Sequence, residues 1–157
     1  MTGAPVRPLD AVAARVDAII ASPDGVLVAS ARSLADELLA LGEAIIESWL
    51  SARGVTPTTR AVEGFRLLAL HRQGARGDVS FNACRETCRE LVYRRNLVRL
   101  NPAHPETARR LRLGAMVTKH LLLFIGGKLE VSGLGEFCCS SRPLHQREAN
   151  TQTAEIA

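Results

Sequence analysis

Residues 80–100 read SFNACRETCRELVYRRNLVRL. Phe81, Cys84, Cys88, Leu91 and Val92 fall at spacings of three and four, the repeat that lines up one face of an α-helix. Ser80 is placed to cap the amino end, since its hydroxyl can accept an orphan backbone N–H. Asp78, just before it, has the sign that suits the positive end of the helix dipole. At the other end Pro102 disfavours helical geometry in Asn101. This stretch also carries two of the four cysteines and the densest run of arginines, so fold and function are both read outward from it.

The flanking sequence repeats the helical pattern. Upstream, Leu34, Leu38, Leu41, Ile45 and Trp49 make an apolar stripe over 33–53, widened by Leu39, Ile46 and Leu50, with Ser33 as cap and Gly54 as stop. An earlier helix is expected from Leu9 to Ile20, then a turn at Ser22-Pro23-Asp24-Gly25. Val26 to Ala29 suits either a short extended piece or the start of the next helix. Thr56 opens a further helix to about Arg72, with Val62, Phe65, Leu68 and Leu70 as its apolar positions. Two glycines within residues 73–79 make that segment a loop. Downstream, Pro105 fits a first helical position and starts a helix that runs, apolar on most sides, to Ile125. Gly126-Gly127 ends it, and Leu129 to Val131 is read as extended. From residue 132 small and polar residues dominate, and a mobile C-terminal tail is expected. The fold class is therefore all-α: a bundle of about five helices, with one domain over 1–131 and a tail over 132–157.

A chain of 157 residues can bury a real core. Its charge is uneven. Residues 1–55 carry a net −3, residues 56–128 a net +9 and residues 129–157 a net −2. Two readings follow: an acidic partner for the basic middle, or docking of the acidic first third onto it, within one chain or across a dimer. The basic residues are nearly all Arg, with Lys at 119 and 128, and Arg suits bidentate pairing with carboxylate or phosphate. No apolar run reaches the roughly 18 residues that a membrane span needs, and no signal-peptide pattern opens the chain. A cytoplasmic protein without membrane attachment is expected, and a homo-oligomer; the apolar 105–125 helix is either buried on most sides or sits in an oligomer interface. In such a compartment cysteines are ordinarily reduced.

Two constellations stand out. Arg85, Arg89, Arg95, Arg99, Arg109, Arg110 and Arg112, with Arg94, lie on two successive helices around a proline break. If those helices pack antiparallel, the guanidinium groups gather into a surface able to bind an acidic protein face or to track nucleic-acid phosphates. A helix-turn-helix is disfavoured: the 73–79 connection is longer than the usual three or four residues, and the basic residues crowd the wrong end of the reading helix. The second constellation is the thiols. Cys84 and Cys88 are neighbours on one helical face. They serve as small buried hydrophobes, as redox thiols, or as metal ligands completed by Cys138, Cys139 and His145. A disulfide between them is awkward, because both side chains point along the same face, and a bond to Cys138 or Cys139 is easier.

Enzyme signatures are weak. His71, His104, His120 and His145 have no carboxylate at a catalytic or metal spacing, and His120 sits among apolar residues. Gly126-Gly127-Lys128 lacks the strand before it and the Ser or Thr after it that a phosphate loop requires. The expected function is thus a small regulatory or adaptor protein whose basic helical surface binds an acidic macromolecule. The alternative is a thiol-based redox or metal sensor using Cys84 and Cys88 with Cys138 and Cys139.

Overall fold

The computed structural model describes residues 8–133. These form six α-helices: α1 (Pro8–Ala21), α2 (Asp24–Ala29), α3 (Ala31–Ala52), α4 (Arg66–Ala75), α5 (Arg85–Leu100) and α6 (Thr107–Val131). A 3-10 turn, Val79–Cys84, precedes α5, and an isolated antiparallel bridge joins Val62 and Phe65. The described residues bear out an all-α bundle.

Its organiser is α6, which packs against α1, α2, α3 and α5. Leu111, Ala115, Leu121, Leu122, Ile125 and Leu129 are buried along it, and Met116 and Leu123 mark its solvent side. The buried Thr118 hydroxyl donates to the Gly114 carbonyl at 2.9 Å, so no hydroxyl is stranded among these apolar groups. The α3 stripe faces inward through Leu34, Leu38, Ile45 and Trp49. Leu41 is half-buried instead, and Gly42 takes the inner position, where an added Cβ would lie 2.6 Å from the Leu91 side chain of α5. Along the 3-10 turn and α5 the inner face is that read from the spacing: Phe81, Cys84, Cys88, Leu91 and Val92 are all buried. Each fully buried large aliphatic side chain contributes roughly 1.5–3 kcal/mol, against about 0–1 kcal/mol for an exposed ion pair. The core therefore sets the fold, and the charges decorate it.

Most of that decoration follows one rule: acids of the first third meet cations of the middle. Asp17 pairs with Lys119 at 2.8 Å, Asp24 with Arg112 at 2.6 Å, and Asp36 with both Arg95 (3.2 Å) and Arg99 (2.8 Å). Glu43 and Glu47 hold Arg66. Of the two readings of the uneven charge, docking within the chain accounts for these residues.

Several boundaries differ from expectation. Residues 56–65 are not helical. Val62 and Phe65 exchange two backbone hydrogen bonds (3.0 and 2.9 Å) around Glu63 and Gly64, both at positive φ (54° and 86°). That is a tight hairpin turn of the kind Gly favours at its second central position. Accordingly α4 starts at Arg66 and continues through Gln73-Gly74-Ala75, where the sequence predicts a loop. Ser80 caps no helix; its hydroxyl donates to Asp78, and α5 begins five residues later. Ser33 lies inside α3 and bonds back to the Ser30 carbonyl. Val26 to Ala29 belongs to α2. The last long helix starts at Thr107 and runs through Gly126-Gly127 to Val131, because packing of the buried Gly126 and Leu129 outweighs the low helix propensity of glycine. The expected tail from residue 134 on lies outside the described residues.

Candidate functional site: an arginine-lined cleft

The site is built on a close approach. Gly74 of α4 has no side chain where a Cβ would lie 2.5 Å from the Phe81 ring. Phe81 can therefore seat against α4, 5.2 Å from the His71 ring, 6.1 Å from Trp49 and 6.5 Å, edge-on, from Phe124. This docking ties the 3-10 turn to α4. It brings Asn82 and Arg85, near the start of α5, beside Arg72 of α4 and Arg76 just past its end.

The opposite wall is the 56–65 segment, stapled to α4 by Gln73. The Gln73 amide accepts from the Thr58 N–H at 2.9 Å and donates to the Thr56 carbonyl at 2.8 Å. Between these walls lies an open cleft of about 420 Å³, with Val62, Leu68 and Ala75 as its apolar floor. Arg72, Arg76, Arg85 and Arg89 line it, with His71 at its base. A second cleft of about 410 Å³ adjoins it across Val62, Arg72 and Arg76 and adds Arg60 and Thr58. Among the described residues no carboxylate lines either cleft.

The nearest acid is Glu63, on the hairpin turn. It forks onto Arg89 with oxygens 3.2 and 2.8 Å from the two guanidinium nitrogens. The Arg89 hydrogen bond, and then the charges of Arg89, Arg72 and Arg85, hold its carboxyl below the ordinary carboxylate value. Among the described residues Glu63 is thus the one carboxylate ion-paired to an arginine of this cleft. Among the described residues Arg72, Arg76 and Arg85 make no ion pair, and all three are exposed. Arg72 is on the last turn of α4 and Arg76 follows the helix as its extended C-cap. The arrangement suits an anion able to take several guanidinium hydrogen bonds at once.

The seven arginines singled out from the sequence are divided by the structure. Arg85 and Arg89 lie on this cleft. Arg95 and Arg99 are turned to Asp36, and Arg109 lies 3.7 Å from Glu106. Arg112 holds Asp24 and donates to the carbonyls of Ile20 and Ser22 at 3.3 and 2.7 Å, so it acts as a clamp between α6 and the α1–α2 turn. Arg110 is half-buried beside Leu38, Arg94 and Leu111. Five of the seven are therefore outside the cleft, four of them engaged with carboxylates of the same chain. The cleft's own Arg60, Arg72 and Arg76 escaped the sequence reading. Arg72 and Arg76 meet because α4 runs on to Ala75 before the chain turns at Arg76, an end that the two glycines of residues 73–79 conceal in the sequence.

Behind the cleft are the thiols. Cys84 and Cys88 are both buried and unbridged. The His71 Nε2–H donates to the Phe81 carbonyl at 2.9 Å, and the Cys84 thiol reaches the same oxygen at 3.3 Å. A hydrogen bond with Cys88, then one with His71, outweighs burial and brings the Cys84 thiol from its ordinary 9.0 down to about 6. The same contact with Cys84, reinforced by burial, pushes Cys88 up. Burial pulls the His71 imidazole down, but its bonds to Cys84 and the Phe81 carbonyl leave it raised. Among the described residues no group of three or more His, Cys, Asp and Glu side chains is arranged to hold a metal ion. Cys138, Cys139 and His145, the expected further ligands, lie outside the described residues. His104 accepts from the Glu106 N–H at 3.0 Å, a local turn contact. No described helix is long and apolar enough to cross a membrane. No protein-family model, no curated protein and no solved structure matches the chain.

Proposed function

We propose that the protein is a binding module of the regulatory or adaptor kind, and that the cleft between α4 and the start of α5 takes an acidic segment of a protein partner. One observation carries the reading. Arg72 of α4, Arg76 just past its end and Arg85 of α5 converge on one cleft without carboxylate partners among the described residues, whereas four arginines elsewhere on α5 and α6 are neutralised within the chain. The apolar floor of Val62, Leu68 and Ala75 favours a peptide over nucleic acid, because it gives a neighbouring aliphatic side chain a place to bury. Glu63, Glu86 and Asp78, close to the cleft in space or sequence, would repel a continuous phosphate backbone but leave room for one or two carboxylates.

Fluorescence anisotropy with a labelled Glu/Leu dodecapeptide tests this on the full chain. Affinity is expected to fall steeply with added salt and to drop by about tenfold, roughly 1.4 kcal/mol, in Arg72→Ala/Arg76→Ala. Both side chains are exposed, so the double variant keeps the fold. Binding unchanged by the substitutions or by salt would remove the reading, and tighter binding of a single-stranded oligonucleotide of equal charge would transfer the cleft to nucleic acid.

A further inference from the structure

We propose that the second cleft, lined by Arg60, Arg72 and Arg76, is a phosphate-monoester site, and that the acidic segment of the partner places a phosphorylated serine or threonine there. This rests on the reading of the first cleft as a peptide site and sharpens it, by naming the group that the second cleft accepts.

Three guanidinium groups line this cleft from two sides. Arg60 comes from the 56–65 segment, Arg72 from the last turn of α4 and Arg76 from just past it. All three are exposed, and none has an ion-pair partner among the described residues. The wall that carries Arg60 is fixed in place. Besides its two hydrogen bonds with Gln73, the segment is held by Arg66, whose Nε–H donates to the Thr58 carbonyl at 2.8 Å. The Arg60 N–H donates to the Thr58 hydroxyl at 3.1 Å. Arg66 is in turn gripped by Glu43 and Glu47, so this wall is braced through α4 to α3. Arg66 is therefore a structural cation, neutralised within the fold, whereas Arg60 six residues earlier is not. A wall already fixed lowers the ordering cost that a ligand must overcome.

Three guanidinium groups without an acid call for more than one negative charge. A carboxylate offers one charge and two oxygens. A phosphate monoester offers about −1.5 to −2 at neutral pH and three acceptor oxygens, which suit the forked donors of arginine. A nucleic-acid phosphodiester brings one charge per phosphate and leaves the excess unmatched. Thr58 also lines the cleft, and its hydroxyl, an acceptor toward the Arg60 N–H, has a proton to donate. Only the carboxyl end of α4 lies here, so the helix dipole opposes an anion and the guanidinium groups must supply the attraction. The two clefts are complementary. Leu68 and Ala75 give the first an apolar floor, and Glu63 already occupies its Arg89. The second has neither Leu68 nor an ion-paired arginine among its described lining. Val62, Arg72 and Arg76 belong to both, so one peptide can bury an aliphatic side chain in the first and seat a phosphorylated one in the second.

The test extends the anisotropy titration on the full chain. The labelled Glu/Leu dodecapeptide is made with phosphoserine at each position in turn, beside a matching set with Glu there. At one position or more, phosphoserine is expected to bind at least about fivefold more tightly than Glu. Arg60→Ala should abolish that gain and leave the unphosphorylated peptide within about threefold of its affinity for the native chain. The Arg60 side chain is exposed and its N–H stays in place, so this variant keeps the fold. Arg32→Ala, at an exposed arginine of α3 outside both clefts, should leave the gain intact. No gain at any position would overturn the proposal. So would a gain that survives Arg60→Ala, or one lost equally in Arg32→Ala. Failure of the acidic-segment reading looks different: the unphosphorylated peptide is then indifferent to Arg72→Ala/Arg76→Ala. In that case phosphoserine peptides that bind through Arg60 still support the phosphate site, and peptides that do not overturn it.

Discussion

The two ends of α5 carry similar charge and are used differently. At its carboxyl end Arg95 and Arg99 close on Asp36 of α3. At its amino end Arg85 is without a carboxylate partner among the described residues, and the chain is held by rings instead, with Phe81 wedged among Trp49, His71 and Phe124. A dense run of arginines therefore does not locate a binding surface. What matters is where acids from elsewhere in the fold have reached: Asp36 takes both arginines of the far end, whereas at the near end Glu63 takes Arg89 and leaves Arg85. The near end is left with a basic cleft in front and a thiol pair behind.

That difference can be broken at either end. The largest effect is expected from Phe81→Ala, which removes a fully buried ring from the near end and should cost about 3–5 kcal/mol in a urea melt. A loss below about 1 kcal/mol would mean that the rings do not hold the 3-10 turn. Next is Lys128→Met. Lys128 lies 4.7 Å above the Trp49 ring, donates to the Ser80 hydroxyl at 2.7 Å and pairs with Asp78 at 3.1 Å, tying α6 to the same turn. About 1–2 kcal/mol should be lost, since the ammonium is largely desolvated where it meets the ring.

Asp78 gives the pH signature of that tie. The Ser80 hydroxyl, and then Lys128, hold its carboxyl below the ordinary 3.8. A depressed folded-state value means stability that is present above 3.8 and lost as pH falls through the lower, folded value. The stability difference between the native chain and Asp78→Asn, up to about 1 kcal/mol, should be level near neutrality and fade below pH 3.8. A difference that grows on acidification would contradict it. The smallest effect belongs to the far end. Asp36 is half exposed, so Asp36→Asn should cost at most about 1 kcal/mol in stability. It should nevertheless strengthen acidic-peptide binding at low salt by roughly twofold, by releasing Arg95 and Arg99. Weaker binding would place Asp36 itself in the interface.

Much of the fold was legible because spacing reports burial directly. The inward stripes of α1, α3 and α5 follow from Leu9, Val12, Val16 and Ile19, from Leu34, Leu38, Ile45 and Trp49, and from Phe81 to Val92. The errors came where short-range rules compete with packing. Val62 and Phe65 are three apart, as on a helix, yet Glu63-Gly64 between them turns the chain. Gly126-Gly127 resembles a stop, yet α6 packs through it. The site was less legible, because pairing is a long-range fact. Nothing local to Arg95 or Arg99 announces Asp36, 59 and 63 residues away. Nothing local to Arg72 announces Arg85 across the cleft. The setting of His71 is hidden for the same reason, since the Phe81 carbonyl that it bonds arrives on another element.

The most direct measurement follows arginine side-chain Nε–H signals of the ¹⁵N-labelled full chain as the Glu/Leu peptide is added. Arg72, Arg76 and Arg85 are expected to shift and saturate together, with Arg95, Arg99 and Arg112 unmoved. Shifts centred on Arg95, Arg99 and Arg112, with the cleft arginines silent, would contradict the division of the charge on which the functional reading rests.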